Sequence, residues 1–252
     1  MMHMERWKQH GIVLGSIDHT EEYFTDLDGV PQGADLSGLD IFTYWRRNWV
    51  KRQVSDDTIL KRNILAVLRL PDSYDCWYGS LDKRVRHAIR TSRTSLEQCT
   101  VDDGTDAIAS IYAEIEERQG RPFPFHSIDA AELERIMVRR NESVFFRGLV
   151  GDRIVGAARV IPSMSEGFAI VASFISRSSD FDKKPNDRLL AGLVEWAIQN
   201  QIRLLMYDYL GDDSLGFFKR RHGFCPLPIP RYAVPLTIRG SLVLRFFRRW
   251  LQ

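Results

Sequence analysis

Apolar positions change their spacing along this chain, and the change divides it. SVFFRGLV (143–150) and RIVGAARVI (153–161) are apolar runs of strand length. They are joined by Gly151-Asp152, a two-residue hairpin signal. Pro162 closes the second run, and FAIVASFIS (168–176) reads as a third strand of the same meander. A polar stretch leads to RLLAGLVEWAIQN (188–200), where apolar residues return at helical spacing. A strand at 203–210 (RLLMYDYL), a helix through SLGFFKRRHG and a strand at RYAVPLTI complete this half.

Upstream, ILAVLRL (64–70) reads as a strand stopped by Pro71. SLDKRVRHAIRTSRTS (80–95) predicts a helix with Ser80 as its cap. Leu81, Val85, Ala88 and Ile89 form one face, and Lys83, Arg84, Arg86, Arg90 and Arg93 the other. A second helix, 106–120, stops at Gly120, and a third is expected at 129–140 after the aromatic loop RPFPFH. Ile41, Tyr44, Trp45 and Trp49 have helical spacing and predict a helix in LDIFTYWRRNWVKR, whereas 1–38 reads as irregular. Helices, then a meander, then alternating helices and strands describe an α+β chain with a mixed, mostly antiparallel sheet flanked by helices.

Composition narrows the class. With 252 residues and 44% hydrophobic content the chain can bury a sizeable core. A formal charge of +2 argues against nucleic-acid binding driven by bulk charge. Cys76, Cys99 and Cys225 have no metal-ligand or redox spacing, so a reducing, cytoplasmic setting is expected and no metal site. No run approaches the roughly 20 apolar residues of a membrane-spanning helix. The tail RGSLVLRFFRRWLQ (239–252) is instead amphipathic, with Leu242, Val243, Leu244, Phe246, Phe247, Trp250 and Leu251 opposite Arg245, Arg248 and Arg249. That pattern fits either an interfacial helix on the inner membrane face or docking onto protein.

The order of elements over about 105–236 resembles the GNAT superfamily of acyltransferases. In MYDYLGDDSLGFFKRRHGFCP, the residues Gly216, Phe218, Lys219, Gly223 and Phe224 resemble the Gly-x-x-Phe-Lys-x-x-x-Gly-aromatic pattern of its Fem and CelD-like branch. The basic helix around 83–93 resembles that branch's Lys-Lys-x-Arg-x-x-Ile-Arg segment, and LDIFTYWRRNW and VLRLP its N-terminal elements. The resemblance implies an N-terminal segment (1–100) completing or partly duplicating the fold, a GNAT-like domain (101–238) and the C-terminal helix. It implies an acyl donor, acyl-CoA or aminoacyl-tRNA, and an amine acceptor such as a cell-envelope or polysaccharide precursor. Nucleic acid is a partner only if the donor is aminoacyl-tRNA.

On that mapping 168–176 opens onto the carrier, with Phe174 and Ser176 beside it. Lys183, Lys184, Asn186 and Arg188 stand at the helix start that holds carrier phosphate. The segment Asp182–Arg188 takes the place of the family's glycine-rich turn and contains no glycine. A helix N-terminus offers unpaired N–H groups and partial positive charge to an anion. Asp208, Lys219 and Tyr207 are the candidates near the chemistry, as base or amine-orienting group, carrier contact and leaving-group acid. Arg121, Phe123 and Phe125 are candidates to clamp the acceptor. Two other classes compete: a GNAT-fold binding module without catalysis, and a peripheral membrane or partner-docking protein organised by the tail.

Overall fold

The computed structural model describes residues 4–9, 11–17, 35–45, 59–119 and 143–246. The predicted acceptor loop with Arg121, Phe123 and Phe125, the helix at 129–140 and residues 247–252 of the tail lie outside them. Along the chain run β1 (Met4–Gln9), β2 (Ile12–Ile17), β3 (Ile41–Trp45), β4 (Ile59–Arg69), α1 (Tyr74–Ser80), α2 (Lys83–Arg90), β5 (Ser95–Cys99) and α3 (Val101–Gln119). The second half holds β6 (Val144–Val150), β7 (Arg153–Ser163), β8 (Phe168–Ser176), α4 (Pro185–Gln199), β9 (Leu204–Tyr209), α5 (Ser214–Arg221), β10 (Cys225–Pro235) and α6 (Ile238–Phe246). Contacts group these into two compact units, Ala66–Pro226 and the combination of Met1–Leu65 with Leu227–Gln252.

In the unit Ala66–Pro226 the strands follow the order β4-β9-β8-β7-β6-β5. The β5–β6, β6–β7 and β7–β8 pairs are antiparallel and β8–β9 is parallel, the mixed, mostly antiparallel sheet expected. Neighbouring residues on a strand point to opposite faces, and the core divides accordingly. Phe146, Ala158 and Val160 pack with Leu189, Leu193 and Val194 of α4, Val85 and Ile89 of α2 and Trp77 of α1. On the other face Phe145 and Ala157 pack with Ile108, Ile111 and Tyr112 of α3. Helices therefore cover both sides of the sheet. The basic helix begins at Lys83, capped by Asp82 rather than Ser80, because Ser80 already ends α1.

The other unit corrects two expectations. The N-terminal stretch contains an antiparallel hairpin, β1–β2, where irregular chain was expected. Residues 41–45 form a strand, not a helix. They pair antiparallel with Arg231–Pro235 of β10 and in parallel with Leu14 and Gly15 of β2. Tyr44 stacks on Phe42 and Tyr232 at 6.0 and 5.5 Å.

Asp40 ties this unit together. Its carboxylate accepts from the Val13 N–H (3.0 Å) and the Thr237 hydroxyl (2.9 Å), and its carbonyl accepts from the Leu236 N–H (2.9 Å). The Val13 N–H, chiefly, holds the Asp40 carboxyl below the usual carboxylate range. Helix α6 lies close enough that a Cβ on Gly240 would stand 2.1 Å from the Asp40 carbonyl oxygen. Gly240→Ala should therefore cost about 1–3 kcal/mol, read from chemical denaturation, by forcing α6 off that backbone. The tail's apolar face is divided: Val243 and Leu244 pack on Ile12, Leu14, Ile41 and Ala233, while Ile238 and Leu242 are exposed. No helix among the described residues is long and apolar enough to cross a membrane.

Candidate active site

The parallel β8–β9 ladder is short. It joins Phe168, Ala169 and Ile170 to Leu204, Leu205 and Met206 and goes no further, although β8 continues to Ser176 and β9 to Tyr209. Two irregularities accompany the parting. The β7–β8 register shifts between Arg159 and Val160, so that Ser173 and Val171 face consecutive residues and Ala172 is the extra one. Such a bulge bends its strand. In β9, Asp208 takes a left-handed backbone (φ 47°). Regular strand alternation would put Tyr207 and Tyr209 on one face. The left-handed turn breaks that alternation, burying Tyr207 (6% exposed) and leaving Tyr209 40% exposed.

Aromatic rings stand at the parting. Phe174 meets Tyr207 at 5.4 Å and Phe218 at 6.0 Å, and Tyr207 meets Phe224 edge-on at 6.0 Å. The structure thus brings together Phe174 and Tyr207 from the two strands and Lys219 from α5. Ser176 is buried on β8 opposite Gly156.

Lys219 is 1% exposed. Its ammonium donates to the Tyr209 carbonyl at 2.7 Å and lies 4.2 Å from the centre of the Tyr207 ring. Burial pushes Lys219 down to about 8, while the Asp208 and Asp213 carboxylates pull the other way. Near neutral pH it is therefore poised to hold or give up a proton. Burial, first, and then the Asp208 charge push the Tyr207 phenol far above its ordinary range, so it stays protonated and acts as a hydrogen-bond donor or packing group.

The motif that carries Lys219 has a structural logic of its own. Asp213 caps α5 by accepting from the Gly216 N–H at 2.8 Å. A Cβ on Gly216 would stand 1.8 Å from the Gly211 carbonyl oxygen, so only glycine lets α5 start this close to the preceding loop. Arg220 holds the same loop through the Gly211 carbonyl (2.9 Å) and Asp212 (2.6 Å). Just before β9, Arg203 pairs with Asp72.

At the β8–α4 junction a short 3-10 helix (Ser178–Lys183) leads into Lys184, which occupies the left-handed region (φ 57°), followed by Pro185 in the first turn of α4. A lysine thus makes the turn for which the related pattern uses glycine. The Lys183 side chain pairs with Asp182, and the Lys184 ammonium donates to Thr91 Oγ1 at 2.6 Å. The carbonyl of Lys183 accepts from the Arg93 N–H (3.2 Å) and the Ser92 hydroxyl (2.9 Å), so the end of α2 is fastened to this turn. Asn186 Oδ1 is buried with no hydrogen-bond partner among the described residues. Arg188 is half-buried, with its charge felt at Tyr74.

Sequence reading missed two groups, Tyr112 and Arg177, and the surroundings of a third, His222, which it weighed only as a base. Tyr112 of α3 is buried, and its phenol is hydrogen-bonded to the Ser173 side chain in the bulged part of β8. Burial pushes that phenol up to about 12. Arg177, at the end of β8, pairs with Glu114 and donates to Ser110 Oγ (3.2 Å) and the Ile154 carbonyl (2.8 Å), anchoring α3. His222 is fully buried, with Nδ1 2.8 Å from the Phe218 carbonyl and Nε2 3.3 Å from an Asp187 oxygen in the first turn of α4. Its proximity to Lys219 in sequence was visible. Its approach to Asp187 was not. No cluster of three or more metal-ligating side chains occurs among the described residues.

No family model and no curated protein matches this sequence. Among solved structures the chain is similar to FemX (TM-score 0.59, 12% identity, covering 84% of this chain and 69% of that one). It is also similar to the C-terminal domain of a putative lysylphosphatidylglycerol synthetase from Agrobacterium fabrum (0.58, 11%, 96% and 83%). L-PGS from Bacillus licheniformis is a third (0.53, 11%, 98% and 85%). At such identities the likeness is one of fold: the chain shares the fold of FemX and of the lysylphosphatidylglycerol synthetase domain, a mixed sheet flanked by helices as element order led us to expect.

Proposed function

We propose that this protein is an acyltransferase that passes an acyl group from a carrier, acyl-CoA or aminoacyl-tRNA, to an amine. The observation that carries the reading is the parting of β8 from β9 beyond Ile170 and Met206, beside a buried lysine. Attack of an amine on a thioester or ester carbonyl needs donors for the developing oxyanion and a route for protons. Backbone N–H groups of 171–176, past the end of the ladder, are the oxyanion donors in this reading. Lys219 exchanges protons with, or steadies charge on, the reacting centre, and Asp208 orients the incoming amine. Tyr207 donates a hydrogen bond toward the leaving group without ionising.

Carrier phosphate lies at the start of α4 in this reading, held by first-turn N–H groups with Lys183, Lys184, Asn186 and Arg188. Phe174 and Ser176 line the donor side, and Arg121, Phe123 and Phe125 hold the acceptor. Solved structures of similar fold are named for FemX and lysylphosphatidylglycerol synthesis, which supports an acceptor from the cell envelope. The exposed Ile238 and Leu242 support contact of 239–252 with the inner membrane surface.

The test is donor binding. Acyl-CoAs of graded chain length and aminoacyl-tRNAs are titrated while unfolding is followed. A true donor at a hundred times its Kd should raise stability by about 2.7 kcal/mol. Mass spectrometry of material co-purifying with the protein then identifies the acyl group. If neither class of carrier stabilises the protein at any concentration, the reading fails and a binding module takes its place.

A further inference from the structure

Helix α2 has a solvent face the acyl-transfer site does not use. Lys83, Arg84, Arg86, His87 and Arg90 line, together with Tyr78, a concave space of about 730 Å³. That volume suits a small molecule. Among the described residues no carboxylate lines it. No described carboxylate pairs with Lys83, Arg84, Arg86 or Arg90, on a chain whose charges otherwise nearly balance. The neighbouring acid, Asp82, is occupied as the helix cap, accepting from the Arg84 N–H at 2.7 Å.

The wall behind these cations is fixed. Val85 and Ile89 anchor the opposite face of α2 in the core. The Tyr78 phenol donates to the Arg86 carbonyl (3.0 Å), and Arg86 Nη1 donates to the Gly79 carbonyl (3.0 Å). Residues three and four apart on a helix are neighbours, so Lys83 with His87 and Arg86 with Arg90 form two adjacent ranks of donors. Arginine forks bind phosphate oxygens in pairs, and two ranks match two linked phosphoryl groups better than one. Because the cations line a hollow rather than a flat face, a compact ligand fits better than a membrane or a nucleic-acid backbone.

We propose that the α2 hollow is a binding site for a small soluble molecule bearing a diphosphate group, recognised by Arg84, Arg86, Arg90 and Lys83 with the Tyr78 ring as its apolar wall. The proposal does not rest on acyl transfer. Inorganic pyrophosphate and ADP are the probes, titrated calorimetrically into the full-length protein. Both should bind saturably, and Arg84→Glu and Arg90→Glu, each exposed and outside the core, should each weaken binding about tenfold or more. Lys8→Ala, an exposed cation outside both sites, should leave it unchanged, and Lys183→Ala is run beside it to read the carrier turn separately. Circular dichroism checks that each variant keeps its fold. Four results would overturn the proposal: no saturable binding, binding unaltered in the α2 variants, binding lost only in Lys183→Ala, or binding confined to anionic vesicles or RNA.

Discussion

Replacing Lys219 by methionine should lower the proposed acyl transfer about 10²–10⁴-fold while leaving the fold intact. Methionine fills nearly the same space and needs no hydrogen bond, so the ring stack of Phe174, Tyr207 and Phe224 survives. What disappears is a buried amine that burial brings down to about 8, where it can exchange a proton. A second readout separates this role from packing. The folded value of Lys219, about 8, lies below the ordinary 10.5 because burial penalises its charge. Between those values the unfolded chain binds the extra proton, so stability from this group rises with pH there. The penalty is complete below about 8 and is relieved toward 10.5. Measured as a difference between wild type and Lys219→Met, stability should shift toward wild type by about 2 kcal/mol between about pH 7 and about pH 9.5. A difference that stays flat would mean that the lysine is solvated and plays no part of this kind.

The second large effect belongs to Gly216→Ala. The added Cβ would meet the carbonyl oxygen of Gly211 at 1.8 Å and its carbon at 2.6 Å. Main chain is on both sides of that clash, so no side chain can swing away. The loop is itself held by Arg220 and the Asp213 cap. We expect a loss of about 3 kcal/mol, or roughly 10 °C in Tm. Activity should fall further than stability alone explains, since displacing α5 withdraws Lys219 from the Tyr209 carbonyl. A variant that melts like wild type would show that α5 can start without the close approach.

Much of the sheet was legible because its signals were local. The Gly151-Asp152 hairpin, the β8 run and the helical spacing of α4 each lie within one element. Residues 41–45 failed for the opposite reason. Ile41, Tyr44 and Trp45 fit helical spacing, but Phe42 and Tyr44 share a face with Tyr232, nearly two hundred positions away. β5 escaped notice because SLEQC is polar and pairs with β6 alone. Lys219 and Tyr207, singled out from a motif and a strand, do stand side by side. The bulge at Ala172 and the left-handed backbone of Asp208 were not legible, since no glycine or asparagine marks either position. Tyr112 was hidden in plain view: its spacing from Ile108 and Ile111 reads as core, and the Ser173 hydroxyl it reaches comes from β8, far along the chain.

The gap between β8 and β9 is wedged from within. Rings occupy it, a bent backbone turns one strand away, and the Lys219 ammonium already claims the Tyr209 carbonyl. The two strands are thus held apart before any guest arrives, and little chain has to be frozen on arrival. Donor association should then proceed in one kinetic phase, with an observed rate that climbs linearly with concentration and no slow isomerisation behind it.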